Sequence, residues 1–257
     1  MQEPDGSSYV QSLARGLAVI RVFGAERPRL SLSDVARATD LTRASARRFL
    51  LTLETEGYVR LRDGLFELTP RVLELGFSYL SAQSLPEVAQ PHLEALSHAV
   101  GESSSASILD GTDIVYIARV PTRRIMSVGI TIGTRFPAYV TSMGRVLLAF
   151  ASAEERDTYF DGFTPTRFTP RTEVSESALR DELSRVAEQG WSLIDGELED
   201  GLRALAVPVT RGGTVVAAIN VSMPASAEDA TEQALRLLPA MQHAAAAISQ
   251  DLDLSAG

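Results

Sequence analysis

Apolar and polar positions alternate along this chain with two periods, one helical and one strand-like, and the period changes mark its parts. Leu13, Leu17, Ile20 and Phe23 recur at helical spacing, with Ser12 placed to cap the helix and Gly24 to stop it. Ser31 or Ser33 can cap a second helix carrying Leu32, Val35 and Ala36. Asp40 stands where a tight corner between helices needs a left-handed residue, a conformation that Asp tolerates better than most side chains. Thr42 then caps a third helix with Ala46, Phe49, Leu50 and Leu53 on one face and Arg43, Ala44, Arg47 and Arg48 on the other. Asp63-Gly64, between Tyr58–Arg62 and Leu65–Leu68, is a two-residue hairpin signal, because both residues accept positive φ. Alternation puts Val59 and Leu61 on one face of that hairpin and Tyr58, Arg60 and Arg62 on the other.

Pro70 opens RVLELGFSYLSAQ, helical in propensity but apolar nearly all round, which a lone surface helix is not. It is expected to pack on a second copy of itself or between domains. From Pro86 the pattern changes again. A helix over 86–100 ends at Gly101, and strands follow at 104–109, 113–120 and 125–132, the first two joined by Asp110-Gly111. Helices at about 142–151 and 175–189 come next, then strands at 191–195, 202–210 and 214–222, with a turn at Arg211-Gly212-Gly213. An alanine-rich helix over roughly 226–250 closes the pattern. Hairpins without regular βαβ alternation imply an antiparallel sheet flanked by helices, an α+β domain.

Composition narrows the chemistry. The 257 residues hold 45% hydrophobic side chains and no cysteine, so disulfides, thiolate catalysis and Cys-containing metal sites are excluded. MQEPDGSSYVQ has no basic or apolar leader pattern, and no run of ~18 apolar residues exists to span a bilayer. A soluble, cytoplasmic protein with no membrane partner is expected. Net charge is −9, yet it is unevenly placed: residues 1–84 balance at +1 and residues 85–257 at −10. All 24 basic residues are arginine, six of them within 37–62 against three acids. The first module can approach a polyanion; the second cannot.

Helix, corner, arginine-bearing helix and basic hairpin are the parts of a winged helix–turn–helix, whose second helix fits the major groove. Arg43, Arg47 and Arg48 lie within two turns of the helix start, where bases are reached. Arg60 and Arg62 would meet phosphates or the minor groove from the wing. Thr42, Ser45 and the helix N-termini can hold phosphates. A solvated helical hairpin, its arginines paired with Glu54, Glu56 or Asp34, is the alternative for any single arginine but not for the whole set of parts. The second module offers no GxSxG, GxxxxGK[ST] or GxGxxG, and its three histidines are scattered, so neither a catalytic template nor a metal or cofactor site is expected. PAYVTSMGRVLLAF does place a Thr-Ser pair before a strongly helical run, a geometry that binds carboxylates and that also describes an ordinary N-cap.

SLARGLAVIRVF, LSLSDVARATDLTRASARRFLLTLETEGYV, TSMGRVLLAF and GLRALAVPV together resemble an IclR-type transcriptional regulator over residues 10 to 250. YVQSLARGLAVI, AYVTSMGRVLLAF and RTEVSESALRDEL are most similar to the subgroup controlling protocatechuate and β-ketoadipate catabolism. The resemblance implies a winged helix–turn–helix at 9–69, a linker helix at 70–85 and a GAF-like effector domain at 86–252. It implies a dimer or tetramer on a palindromic double-stranded DNA site, switched by a small carboxylate effector. Position by position it implies effector contacts at Ser142, Met143, Asn220, Ser222, Asp195 and Ala204, with Ile125, Val128 and Phe136 as apolar wall. Period-two alternation puts Asn220 and Ser222 on one strand face, which by itself reads as a solvent face. Arg135 is placed either to neutralise a second carboxylate or to form an exposed ion pair. An enzyme acting on small carboxylic acids, with the helix pair as a regulatory arm, is the rival reading; a base near Ser142 or Asp195 is missing from the sequence pattern.

Overall fold

The computed structural model describes residues 9–24, 26–75, 85–122, 129–226 and 228–255, and the chain divides into two units after Ala82. In the first unit α1 (Gln11–Arg21), α2 (Leu32–Ala38) and α3 (Arg43–Thr55) pack around Val19, Val35, Ala46 and Leu50, all 0% exposed. α1 begins one residue before Ser12, with Val10 at its cap position and no side-chain cap bond, so Ser12 is not the cap. Its inward residue is Val19, whereas Leu13 and Leu17 are exposed, because only the C-terminal half of α1 meets the core. Ser31, and not Ser33, caps α2 through a reciprocal box: the Asp34 amide donates to Ser31 Oγ and the Ser31 amide to Asp34 Oδ2, both at 3.2 Å. Asp40 turns the corner at φ 52°, and Thr42 Oγ1 accepts from the Ser45 amide at 3.1 Å to start α3.

β2 (Val59–Arg62) and β3 (Leu65–Leu68) close through Asp63 (φ 52°) and Gly64 (φ 78°), and β1 (Arg29–Leu30) adds to β3 in the order β1-β3-β2. Pro70–Val72 then makes a 3₁₀ turn, with residue 76 onward to 84 outside the described residues, so the expected linker helix is described only at its start.

The second unit is a six-stranded sheet in the order β6-β5-β4-β9-β8-β7, every neighbouring pair antiparallel. Its strands are β4 (Ser103–Asp110), β5 (Asp113–Val120), β6 (Arg135–Pro137), β7 (Ser192–Asp195), β8 (Leu202–Arg211) and β9 (Thr214–Pro224). α4 (Leu85–Val100) and α8 (Ala230–Leu254) cover one face, burying Leu205, Ile219 and Val221. α5 (Ser142–Phe150) lies on the other face with α7 (Glu176–Gln189) behind it. Period-two alternation thus sorts β9 cleanly: Ile219 and Val221 toward α4 and α8, Ala218, Asn220 and Ser222 toward α5.

Two elements differ from expectation. The strand placed at 125–132 falls partly on residues 123–128, which lie outside the described residues, and 129–134 form no strand. There Gly133, at φ 87°, turns the chain so that its amide and the Thr134 carbonyl both bond Tyr116, and the edge strand is Arg135–Pro137 instead. A helix without a sequence forecast, α6 (Ala153–Phe160), starts on a capping box of Ser152 and Glu155. The β4–β5 turn falls on Gly111-Thr112, since Asp110 and Asp113 pair in register.

Candidate functional site

On α3, Ala46 and Leu50 are buried, and Arg43, Ala44, Arg47 and Arg48 are exposed on the face away from the core. None of the three arginines forms an ion pair among the described residues, unlike Arg37, which Asp34 holds at 2.7 Å. Thr42 and Ser45 sit at the helix start, with the Thr42 hydroxyl donating to Ser45 Oγ at 2.9 Å. Arg48 leans toward α1, sharing a shallow groove with Gln11, Ser12 and Arg15. The face offers guanidinium forks that suit phosphates and base edges, free of competing carboxylates.

The wing is more constrained than alternation alone implies. Arg60 faces outward, but Glu67 lies opposite it on β3 and takes Arg60 Nε at 2.6 Å on one carboxylate oxygen and Arg29 Nε at 2.7 Å on the other. Arg60's bond, with Arg29 beside it, holds the Glu67 carboxyl below its ordinary pKa. Arg62, near the hairpin tip, has only Asp63 at 3.9 Å and is the freer of the two.

In the second unit, Thr141 Oγ1 accepts from the Gly144 amide at 3.1 Å and so caps α5. The amides of Ser142 and Met143, at N1 and N2, have no acceptor within the helix, as at any helix start. Gly144 is required by a close approach: a Cβ there would fall 2.2 Å from the Ala138 carbonyl oxygen. Arg145, 4% exposed, fixes the helix from behind through the Tyr139 carbonyl at 2.9 Å and Glu197 at 2.6 Å.

Facing this helix start is a polar strip on the sheet. Ser105 pairs with Asn220, Asn220 with Ala206 and Ala206 with Ser192; one step along, Ser222 pairs with Ala204. Ser107 donates to Met143 Sδ at 3.2 Å, which puts the strip and α5 face to face. Asn220 and Ser222, 3% and 5% exposed, are bonded to each other at 3.1 Å. Their strand face is therefore interior, because α5 covers it. Ser142 Oγ, Asn220 Oδ1 and Ser192 Oγ are buried with no hydrogen-bond partner among the described residues. Such groups cost free energy unless something else satisfies them. Phe136 borders the strip, edge-on to Tyr116 at 6.0 Å, and burial pushes the Tyr116 pKa up to about 12.

Two expected contacts are placed elsewhere. Asp195 sits on the opposite sheet face, toward α8, where Arg203 Nε and Arg171 Nη1 each donate to it at 2.9 Å. The parity of β7 decides this: Ser192 and Ile194 face α5, so Leu193 and Asp195 cannot. Arg135 is held by Asp110 at 2.7 Å and Asp113 at 3.2 Å at the exposed sheet edge, which raises its pKa and leaves no free fork for a diacid. Ile125 and Val128 lie outside the described residues. Sequence reading missed Ser105, Ser107 and Ser192; the alternation in SSSAS was visible, but not which face it would present.

A helix–turn–helix with a basic, unpaired face, joined to an antiparallel domain with a polar interior beneath a helix start, defines a DNA-binding regulator with a second, separate domain. The chain belongs to the IclR family: residues 12–63 match the IclR helix-turn-helix domain and residues 77–250 the bacterial transcriptional regulator IclR C-terminal domain. It is 39% identical over 239 residues to the Pca regulon regulatory protein of Pseudomonas putida, covering 92% of this chain and 81% of that protein. It is 37% identical over 218 residues to the p-hydroxybenzoate hydroxylase transcriptional activator of Acinetobacter baylyi, covering 82% of this chain and 80% of that one. A crystal structure of a chain from Rhodococcus sp. RHA1 matches at TM-score 0.85 with 57% identity, covering 96% of this chain and all of that one. An IclR homolog from Microbacterium hydrocarbonoxydans, complexed with 4-hydroxybenzoate, matches at TM-score 0.84 with 27% identity over 94% of this chain and 99% of that one. Among the described residues, no helix is long and apolar enough to cross a membrane.

Proposed function

We propose that this regulator controls genes of aromatic-acid catabolism in response to a small carboxylate bound between the sheet and α5. The buried Ser142 hydroxyl, without a partner among the described residues at the capped start of α5, carries the reading, since a hydroxyl and a helix start together favour an anion. Ser192 Oγ and Asn220 Oδ1, also buried without a partner, lie on the sheet face that α5 covers, and the amide oxygen suits a hydroxyl donor of the ligand. Ser142, Met143, Asn220, Ser222, Ala204 and Phe136 are the contacts in this reading; Asp195 and Arg135 are not, being spent in ion pairs. The names of the Pseudomonas and Acinetobacter relatives, and the 4-hydroxybenzoate held by the Microbacterium structure, support an aromatic acid or its breakdown product. DNA contact falls to Thr42, Arg43, Ala44, Ser45, Arg47 and Arg48, with Arg62, and Arg60 in part, on the wing. The protein acts as a dimer or tetramer on a palindromic site, two recognition helices reading two half-sites. A ligand with different affinity for two arrangements of that assembly shifts the balance between them; ~1–3 kcal/mol of coupling is enough for a useful switch.

Thermal-shift titration with protocatechuate, 4-hydroxybenzoate, β-ketoadipate and glyoxylate tests this, because binding to the native state raises its stability. At least one acid is expected to stabilise the protein and to be recovered unchanged. Ser142→Ala is expected to weaken that acid while leaving ligand-free promoter binding intact. Equal calorimetric affinity in variant and parent removes Ser142 from the site, and turnover of the acid overturns the regulator-only reading.

A further inference from the structure

The outer face of the three-stranded sheet carries three charged side chains in one register: Arg29 on β1, Glu67 on β3 and Arg60 on β2. In the next register Leu30 and Phe66 are buried, so strand parity turns the charged row away from the core. The backbones of the two arginines are two strand spacings apart, about 10 Å, yet their side chains meet over one carboxylate. Arg29 Nε donates to Glu67 Oε2 at 2.7 Å and Arg60 Nε to Glu67 Oε1 at 2.6 Å. Both bonds use Nε, so the terminal Nη groups of both guanidiniums have no acceptor among the described residues. The Glu67 side chain is covered, 10% exposed, whereas those of Arg29 and Arg60 are 45% and 57% exposed. The group carries a net +1, and what it exposes is arginine. Two guanidiniums fixed side by side, each with a free pair of N–H donors, suit an anion that accepts several bonds at once.

We infer that Arg29 and Arg60 together clasp one DNA backbone phosphate, and that Glu67 is the positioning residue that holds them side by side for it. The inference rests on the reading that puts α3 and the wing on DNA. It adds Arg29, which belongs neither to α3 nor to the hairpin, to the DNA-contacting residues. It also reverses the part played by Glu67. A carboxylate near a polyanion opposes binding by its charge; here it favours binding by ordering two rotamer-rich side chains before DNA arrives. The row lies two positions along β2 from Arg62, about 7 Å, so it takes a phosphate beside the one met at the hairpin tip. A phosphate contact carries no sequence information, so its loss weakens every duplex alike.

Mobility-shift titration of the full-length protein tests it, on a duplex from the DNA upstream of its own coding sequence and on a scrambled duplex, across a salt series. Arg29→Gln and Arg60→Gln are each expected to weaken both duplexes about threefold or more and to lower the salt slope by about one. Unchanged affinity and slope in Arg29→Gln overturn the inference. Glu67→Gln separates positioning from neutralisation, because the two roles have opposite signs. Loss of an acid that only neutralises tightens DNA binding. Loss of the positioning acid weakens it, here about threefold or more, although the local charge rises by one. Affinity at or above the parent's overturns the positioning role. In the background carrying both Arg29→Gln and Arg60→Gln nothing remains to position, so Glu67→Gln is expected to cause no further loss; an equal loss there overturns the role and makes Glu67 a prop of the sheet. Should Glu67→Gln not melt cooperatively, Glu67→Asp decides, since it keeps the charge but is too short to hold both arginines. A loss of about threefold then supports the inference, and unchanged affinity overturns it. If Arg48→Ala weakens the upstream duplex and Arg29→Gln does not, this inference alone fails. If no duplex binds, or neither variant changes binding, the placement of DNA on this unit falls.

Discussion

Glu67 illustrates how one side chain sets what its neighbours are free to do. Its two carboxylate oxygens take Arg60 and Arg29 across a three-stranded sheet, so the wing's arginines are unequal although alternation gives Arg60 and Arg62 the same face. A carboxyl whose folded pKa is depressed adds stability that is present above its unfolded value, about 4.3, and lost as pH falls through the folded value. The stability gap between parent and Glu67→Gln is therefore expected to shrink as pH drops below about 4, which denaturation at stepped pH measures; a gap constant from pH 3 to 7 would remove the linkage. At the same scale, Asn220 shows what parity cannot supply. Its face was fixed by alternation, but whether that face meets water or α5 depends on a helix some eighty residues away in sequence. Asp195 shows the converse: the resemblance put it among the effector contacts, and the strand's two-residue period turns its carboxylate to the other sheet face, onto Arg203.

Among the elements, α5 is defined by what crosses it. Its residues from Ser142 to Ala149 are all buried and only Phe150 at its end is exposed, and the 3₁₀ turn at Ala138–Val140 presses directly on Gly144. Gly144→Ala puts a methyl group into backbone that has no rotamer to give way. It is expected to destabilise the protein by about 1–3 kcal/mol, and to weaken effector binding more than promoter binding by displacing the helix start. Denaturant melts with paired ligand and promoter titrations check this; an unchanged melt would mean the turn moves aside without cost. Helix α6 marks the limit of periodicity as a signal. AEERDTYF carries little amphipathic pattern, and only the Ser152-to-Glu155 spacing, a capping box, announced it. Of the strand expected at 125–132, the described part, 129–132, is not a strand: Gly133 at φ 87° and the bonds of 133 and 134 to Tyr116 turn the backbone there.

Over the whole molecule, charge divides labour. The −10 of residues 85–257 repels a polyanion while residues 1–84 balance at +1, so in the proposed function the arginines of the first unit are the ones to meet phosphates. Arg48→Ala is expected to cost about 1–3 kcal/mol of specific promoter affinity if it reads a base. Arg62→Ala should weaken all sequences alike and lower the salt slope by about 1. Mobility-shift titrations across a salt series separate the two, and unchanged affinity in Arg48→Ala would displace the recognition helix from this face.

The sequence by itself determined the local choices: capped helices, the corner at Asp40, the Asp63-Gly64 turn, and the periods that assign most strands. These are written within a few residues of each other, where φ preferences and hydrogen-bond reach act. Only the tertiary structure decided which arginines of the described residues remain free, that Asn220 and Ser222 are interior, and that Asp195 is held by Arg203 on the other face. Those outcomes depend on strand register and on helices packed from distant segments, and no short-range pattern encodes which face another element will cover.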